Sequence, residues 1–309
     1  MSTPRYQGVD PILTDVSLGY KNEAYISELL LPTLPVKFQS GKHFVYDKGK
    51  FRSEDNMRGM GSRSKEVTHN ISTGLTYFCE DHALKEFVAD EEVDNAPAGV
   101  DPYVDATENV TEKHLVSQEI ETAALLTSTS VITSNSTLSG TSQWSNSNSD
   151  PVTAIREAKQ TVHANIMVDP NVLVLGKQVI DKLIDHPAII ERVKYSQLGV
   201  LNTDLLARFF DVERVVIGGA MKNATVEGQT DSMSYIWGKD ALLAYINPRF
   251  GQKSVTLGVK YQWKTRTTER LNGTDERDRR GQFIRVGDHY YDPQLIAASA
   301  GYLFKNAVA

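Results

Sequence analysis

Apolar positions change period several times along this chain, and each change marks a predicted element. The densest patterning runs from Asp169 to Ala220. Asn171–Leu175 (NVLVL) is a short continuous apolar run, the mark of a buried strand. Gly176–Asp185 places Val179, Ile180, Leu183 and Ile184 at helical spacing, and Pro187 interrupts it. Ala188–Val193 resumes as a turn, and Thr203 or Asn202 caps DLLARFF. Glu213–Ile217 (ERVVI) is a second buried strand, stopped by Gly218–Gly219. Ser234–Trp237 is a third strand, short and not read as buried, and GKDALLAYINP reads as a turn or short helix leading to Pro248.

Outside this stretch the pattern is sparser. Residues 1–42 read as extended and irregular, punctuated by Pro4, Pro11, Pro32 and Pro35, with one short helix at Glu23–Leu31. Residues 43–78 read as a long hairpin. HFVYDKGKF is one strand, and EVTHNISTGLTYF is the other, with Val67, Ile71, Leu75 and Tyr77 on one face. The connection between them, FRSEDNMRGMGSRSK, is long for a compact domain, and such loops are usually functional or disordered. Residues 79–100 are acidic and read as a helical turn or two followed by a linker.

Asp101–Pro102 has a capping Asp and a first-turn Pro, so it predicts a helix start. That helix runs from Tyr103 to Leu126, with Val116, Ile120, Ala123 and Thr127 as a thin apolar stripe and Glu108, Glu112 and Glu119 on the other side. Residues 127–149 are rich in Ser, Thr and Asn and predict a loop, with Trp144 as an anchor. Asp150–Pro151 repeats the capping signature ahead of a helix with Ile155, Ala158 and Val162 on one face. From residue 254 the pattern alternates again. SVTLGVKYQWK and QFIRVGDHYYD are strands on either side of a charged turn, and IAASAGYLFKNAV ends as a strand.

Composition narrows the functional classes. The chain has 309 residues, 40% hydrophobic and 23% charged, which is ordinary for a globular protein. A formal net charge of −6 argues against a protein that coats nucleic acid with a basic face. The single cysteine, Cys79, excludes an intramolecular disulfide and a cysteine-based zinc site. No secretory leader and no membrane-spanning run is visible.

No catalytic constellation emerges. Gly-Lys pairs at Gly41, Gly49, Gly176 and Gly238 lack the spacing of a phosphate loop. Asp181 and Asp185 share a helix face beside His186, but helix-end solvation and capping explain them better than a metal. His289 fits a packed strand histidine. Cys79 is followed by Glu80 and Asp81, which oppose thiolate formation, so it reads as a structural thiol. No cofactor, metal site or catalytic residue is expected.

The charged tips are the remaining candidates. Arg52, Arg58, Arg63 and Lys65, with Glu54 and Asp55, crowd the hairpin connection, and Arg277, Arg279 and Arg280 crowd the later turn. All nine are candidate inter-subunit contacts.

The long ordered pattern VLG…DHP.I.ERVKY…GV…LLA..F.VE.V.IG, followed by YIWGKDALLAYINP and GDHYYDPQLIAASAGYLFKNAV, resembles the major capsid proteins of tailed bacteriophages. The resemblance is tight over about half the chain. It implies an α+β fold of the Hong Kong 97 type. Residues 1–42 would be an N-terminal arm and 43–78 an extended hairpin loop. Residues 79–149 would begin a peripheral domain containing a long spine helix. Residues 150–250 would be an axial domain, and 251–309 would return to the peripheral domain and supply the C-terminal strand.

The resemblance also implies self-assembly, as hexamers and pentamers, into an icosahedral head shell enclosing double-stranded DNA. Contact with that DNA would be non-specific. A separate scaffolding protein, a portal and a decoration protein are the implied partners, with no membrane. The expected place is the virion, after assembly in the bacterial cytoplasm. The loop Tyr195–Asn202 would meet symmetry mates near the capsomer axis. The alternatives are an encapsulin-like compartment shell or an α/β enzyme.

Overall fold

A computed structural model describes residues 8–46, 53, 56–64, 66, 71–193, 203–226, 228–247, 255–272 and 280–309. The chain enters through β1 (Gly8–Val9) and α1 (Pro11–Gly19). Asp10 sets the start of α1: its side chain accepts from the N–H groups of Ile12 (3.0 Å) and Leu13 (3.2 Å), and Pro11 fills a first-turn position that needs no N–H. Next come α2 (Ser27–Leu30) and β2 (Thr33–Pro35). These residues are not the extended stretch that was expected, because Leu13, Ile26, Leu30 and Leu31 are buried against the chain's own core.

β3 (Ser40–Tyr46) and β4 (Ile71–Phe78) form the expected antiparallel hairpin base, in register from Ser40–Phe78 to Tyr46–Ile71. The acidic stretch that follows corrects the reading of a helical turn. It is a ten-residue strand, β5 (Glu80–Ala89), ahead of the short α3 (Asp90–Asp94). Its charged residues suit it to an edge, where they discourage pairing with other strands. α4 (Pro102–Leu126) has 25 residues and is capped by Asp101, which accepts from Tyr103 N at 2.9 Å.

The second half supplies β6 (Asn135–Thr137), α5 (Pro151–Ile166), β7 (Val172–Gly176), α6 (Lys177–Ile184), α7 (Pro187–Val193) and α8 (Thr203–Phe210). Then come β8 (Arg214–Gly218), β9 (Met221–Asn223), β10 (Met233–Tyr235), β11 (Ala241–Ala244), β12 (Gly258–Lys264), β13 (Thr267–Asn272), β14 (Gly281–Leu295) and β15 (Gly301–Lys305). Every residue of β11 is buried. The expected turn or short helix there is therefore a strand, since a continuous apolar run this short does not distinguish the two.

The fold is α+β, with two main sheets. In the six-stranded sheet the long β14 pairs with β5 along one edge and with β13 and β12 in turn along the other, while β1 and β2 extend the outer sides. The five-stranded sheet runs β6-β15-β11-β7-β8. β11 is antiparallel to both neighbours, and β7–β8 and β15–β6 are parallel. The C-terminal strand thus belongs with the 150–250 elements and not with the returning strands, which departs from the expected grouping of 251–309. The Ser/Thr/Asn-rich loop is also drawn into this sheet. Ile132 and Trp144 are buried, the latter with its ring 5.0 Å from Phe304.

Alternation divides the five-stranded sheet into two faces. Leu173, Leu175, Leu243 and Phe304 pack against α5, α6 and α8 through Ile155, Val179, Leu183 and Leu206. Val172, Val174, Leu242 and Leu303 face a second core that includes Ile26 and Leu30, and Ala123 and Leu126 at the end of α4. This second core joins the two sheets. Gly176 lets the end of β7 pass close to the segment before β11: a Cβ there would lie 2.2 Å from the carbonyl oxygen of Gly238. Close packing therefore accounts for the glycine of the Gly176 pair, and a left-handed φ of +54° for that of the Gly238 pair.

Candidate functional site

The geometry around α4 comes from its polar residues. Thr107, Thr111, His114, Gln118, Glu119 and Thr122 are buried along it, so the thin apolar stripe read from sequence is not its main packing face. Glu119 is fully buried and does not face solvent as expected. Its carboxyl oxygens accept from Ser27 N (2.8 Å), Ile26 N (3.1 Å) and the Trp237 indole Nε1 (2.6 Å). The first two are the free donors at the start of α2, which need acceptors when buried. Two turns earlier, Glu112 accepts from Asn22 Nδ2 at 3.1 Å and from the Tyr25 hydroxyl. Burial and Glu112 together push the Tyr25 hydroxyl above its ordinary range.

Between α4 and the six-stranded sheet lies a buried basic group. Tyr291 is flanked by His82, stacked at 4.1 Å, and His289, tilted at 4.7 Å, and its hydroxyl donates to Glu121 at 3.1 Å. Lys260, almost completely buried, reaches Glu28 at 3.5 Å. Burial lowers the Lys260 amine. His114 Nε2 donates to the Val286 carbonyl at 3.1 Å. Burial, with Lys260, Arg266, His114 and His82 nearby, pushes His289 down to about 2. These are packed histidines, as the sequence indicated for His289.

The other chemical candidates are occupied structurally. Lys177 pairs with Asp181 at 2.9 Å. The His186 ring is buried, accepting from Ala188 N (3.2 Å) at Nδ1 and reaching the Asn146 carbonyl (3.0 Å) through Nε2. Cys79 is fully buried, and burial raises its thiol. A groove of about 490 Å³ between α5 and α8 has its Lys159 engaged by Asp211 at 2.6 Å and its His163 by Asp169 at 2.9 Å. Among the described residues, no group of three or more His, Cys, Asp or Glu side chains could hold a metal ion, and no helix is long and apolar enough to cross a membrane.

The predicted contact residues divide between described and undescribed parts. Arg52, Glu54, Asp55, Lys65, Arg277 and Arg279 lie outside the described residues, as does the loop Tyr195–Asn202. Arg58 and Arg63 are exposed and bracket a turn in which Ser62 N donates to the Gly59 carbonyl at 3.1 Å. Arg280 is exposed, and its carbonyl accepts from Asp90 N at 3.1 Å. The structure does not bring Arg58 and Arg63 together with Arg280 in any described contact. Sequence reading missed Glu119, Glu112 and Trp237, because a buried polar side chain leaves no hydropathy signal.

Comparison with known proteins adds four findings. The family model for phage major capsid protein E matches residues 131–232. The major capsid protein of Pseudomonas phage JBD67 is 30% identical over 307 residues, covering 97% of each chain. A phage-related protein from Bordetella bronchiseptica RB50 superposes with a TM-score of 0.78 at 26% identity, covering 98% of this chain and 99% of that one. The capsid structure of cyanophage P-SCSP1u superposes with a TM-score of 0.62 at 12% identity, covering 93% of this chain and 90% of that one, which speaks for the fold alone.

Proposed function

The chain belongs to the phage major capsid proteins, and from that membership we propose how its parts divide the building of a shell. Its role is structural and not enzymatic: copies assemble into the head shell that encloses the phage genome in the virion. The observation that carries this is the 30% identity to a phage major capsid protein over 97% of each chain, which also favours a virus over a cargo compartment.

In this reading the arrangement is of the Hong Kong 97 type. The six-stranded sheet with α4 as its spine helix forms the peripheral domain. The five-stranded sheet with α5–α8 forms the axial domain, joined by β6 and β15. Residues 1–42 and 43–78 are the arm and the extended hairpin loop. Packing of α1, α2 and β2 on the chain's own core limits any arm that reaches a neighbour to the part before β1. Hexamers and pentamers form through the charged tips: Arg52, Glu54, Asp55, Arg58, Arg63 and Lys65 in the hairpin, and Arg277, Arg279 and Arg280 in the later turn. A scaffolding protein, a portal and a decoration protein complete the head. The packaged double-stranded DNA is touched non-specifically, in keeping with a net charge of −6 that gives few phosphate contacts.

Many modest contacts repeated by symmetry hold such a shell. The tip is the part to test. Arg58→Glu with Arg63→Glu should leave the subunit folded by circular dichroism but cut the yield of sedimenting particles. Undiminished particle yield would remove the tip from the interface.

A further inference from the structure

We propose that a small monovalent anion, of the chloride class, binds inside the subunit between α4 and the six-stranded sheet, held by Lys260, Gln118 and His289. The site belongs to the folded chain and does not depend on how copies assemble.

One stripe of α4 and one stretch of β14 frame it. His114, Gln118 and Glu121 recur at helical spacing, so they share a face of α4. The first of them donates to the Val286 carbonyl at 3.1 Å, and the last accepts from the Tyr291 hydroxyl at 3.1 Å. Gln118 lies between those two contacts on the helix, and His289 lies between the same two on the strand. Alternation puts His289 on the face of β14 that carries Tyr291, and their rings are 4.7 Å apart. Lys260 on β12 is the register partner of Pro293, so it shares that face, and its Nζ stands 6.0 Å from the centre of the Tyr291 ring. Ammonium, amide and imidazole therefore converge on one space.

That space is closed and rich in donors. Lys260 and Gln118 are each 4% exposed, and His289 is 6% exposed. Gln118 Nε2 is buried with no acceptor among the described residues. The Lys260 ammonium has three donors, and its pair with Glu28 at 3.5 Å uses one. Arg266 is a second cation close enough to act on His289, and its Nε is likewise buried without an acceptor among the described residues. His82, from β5, and His114 complete the basic group. The carboxylates that reach it stand at its rim: the Glu28 side chain is 64% exposed, and Glu121 is exposed.

Buried donors and a buried charge without a buried acceptor are costly. A water would accept from the amide but leave the charge uncompensated. A monovalent anion does both. It accepts from ammonium and amide in any direction, and it holds Lys260 charged against the burial that lowers its amine. The charges of Lys260 and Arg266, which disfavour a proton on His289, attract an anion placed beside it. Closure on all sides suits a single-atom ion better than a phosphate.

Thermal unfolding of the full-length subunit in sodium chloride and in sodium gluconate, at equal ionic strength, tests the site. Chloride should raise the midpoint by about 2 °C or more, as a ligand of the folded chain alone does. Gln118→Leu and Lys260→Met should each abolish that gain, since each removes a donor and puts no new charge in the interior. Crystals soaked in bromide should show an anomalous peak between α4 and β14, beside Lys260 Nζ and Gln118 Nε2. Equal midpoints in the two salts, a gain that survives in the variants, or no peak at that place would each overturn the site. If one variant does not fold by circular dichroism, the other variant and the bromide map decide.

Discussion

Glu119 ties three parts of the chain together with one side chain. Its carboxyl group meets the first donors of α2, sits on α4, and takes the Trp237 indole from the segment before β11. Removing one partner of a buried polar set leaves the others unsatisfied, which costs more than the bonds gained net. Glu119→Ala should therefore destabilise the unassembled subunit by about 3–5 kcal/mol. Glu119→Gln should cost about half as much, since one acceptor oxygen survives. Urea unfolding followed by tryptophan fluorescence reads both, and an alanine variant within about 0.5 kcal/mol of wild type would show that the node is not stabilising. In sequence this residue looked solvent-facing, because a glutamate hydrogen-bonded in a core and one dissolved in water contribute equally to a hydropathy pattern. Trp144 was legible as an anchor because its size and isolation in a Ser/Thr/Asn-rich stretch left few alternatives. Of the tip residues, Arg58 and Arg63 could be named from sequence.

At the level of elements, the interface between α4 and the six-stranded sheet makes stability depend on pH. His289 has its ordinary imidazole value of 6.5 when unfolded and about 2 when folded. His114 is lowered too, chiefly by burial. Between these limits the unfolded chain binds more protons than the folded one, so stability rises with pH and is lost as pH falls below 6.5. For His289 alone the loss reaches about 2 kcal/mol at pH 5. The thermal midpoint of the unassembled subunit should drop from pH 7 to pH 5, and His289→Asn should flatten that drop. An unchanged pH slope in the variant would contradict the assignment.

The elements themselves were unevenly legible. α4 and α5 announced themselves through Asp-Pro capping pairs, and β7 and β8 through continuous apolar runs. Asp10–Pro11 carries the same capping pair, yet α1 was not read from it, because only Leu13 and Ser17 of that helix are buried and the apolar spacing is weak. β5 was lost to its charge, which belongs to an edge strand. β11 was lost to its brevity.

At the scale of the whole molecule, the two sheets share a core through Ile26, Leu30, Ala123 and Leu126. The subunit therefore enters a shell as a body whose parts are cross-braced by α4, while association is left to what projects from it. The α+β class and the capsid family could both be read before any coordinates, because the 150–248 pattern is long and ordered. The grouping of strands into sheets could not, since β6 and β15 reach the five-stranded sheet from distant parts of the chain. Such long-range pairing is set by packing and leaves no local trace.

The central claim is that this chain builds a closed shell. Electron microscopy of the purified full-length chain, expressed alone and with the neighbouring head-assembly genes, tests it most directly. The account predicts closed icosahedral particles with five- and six-subunit capsomers in at least one of the two preparations. A folded, monodisperse monomer with no particles in either would contradict it.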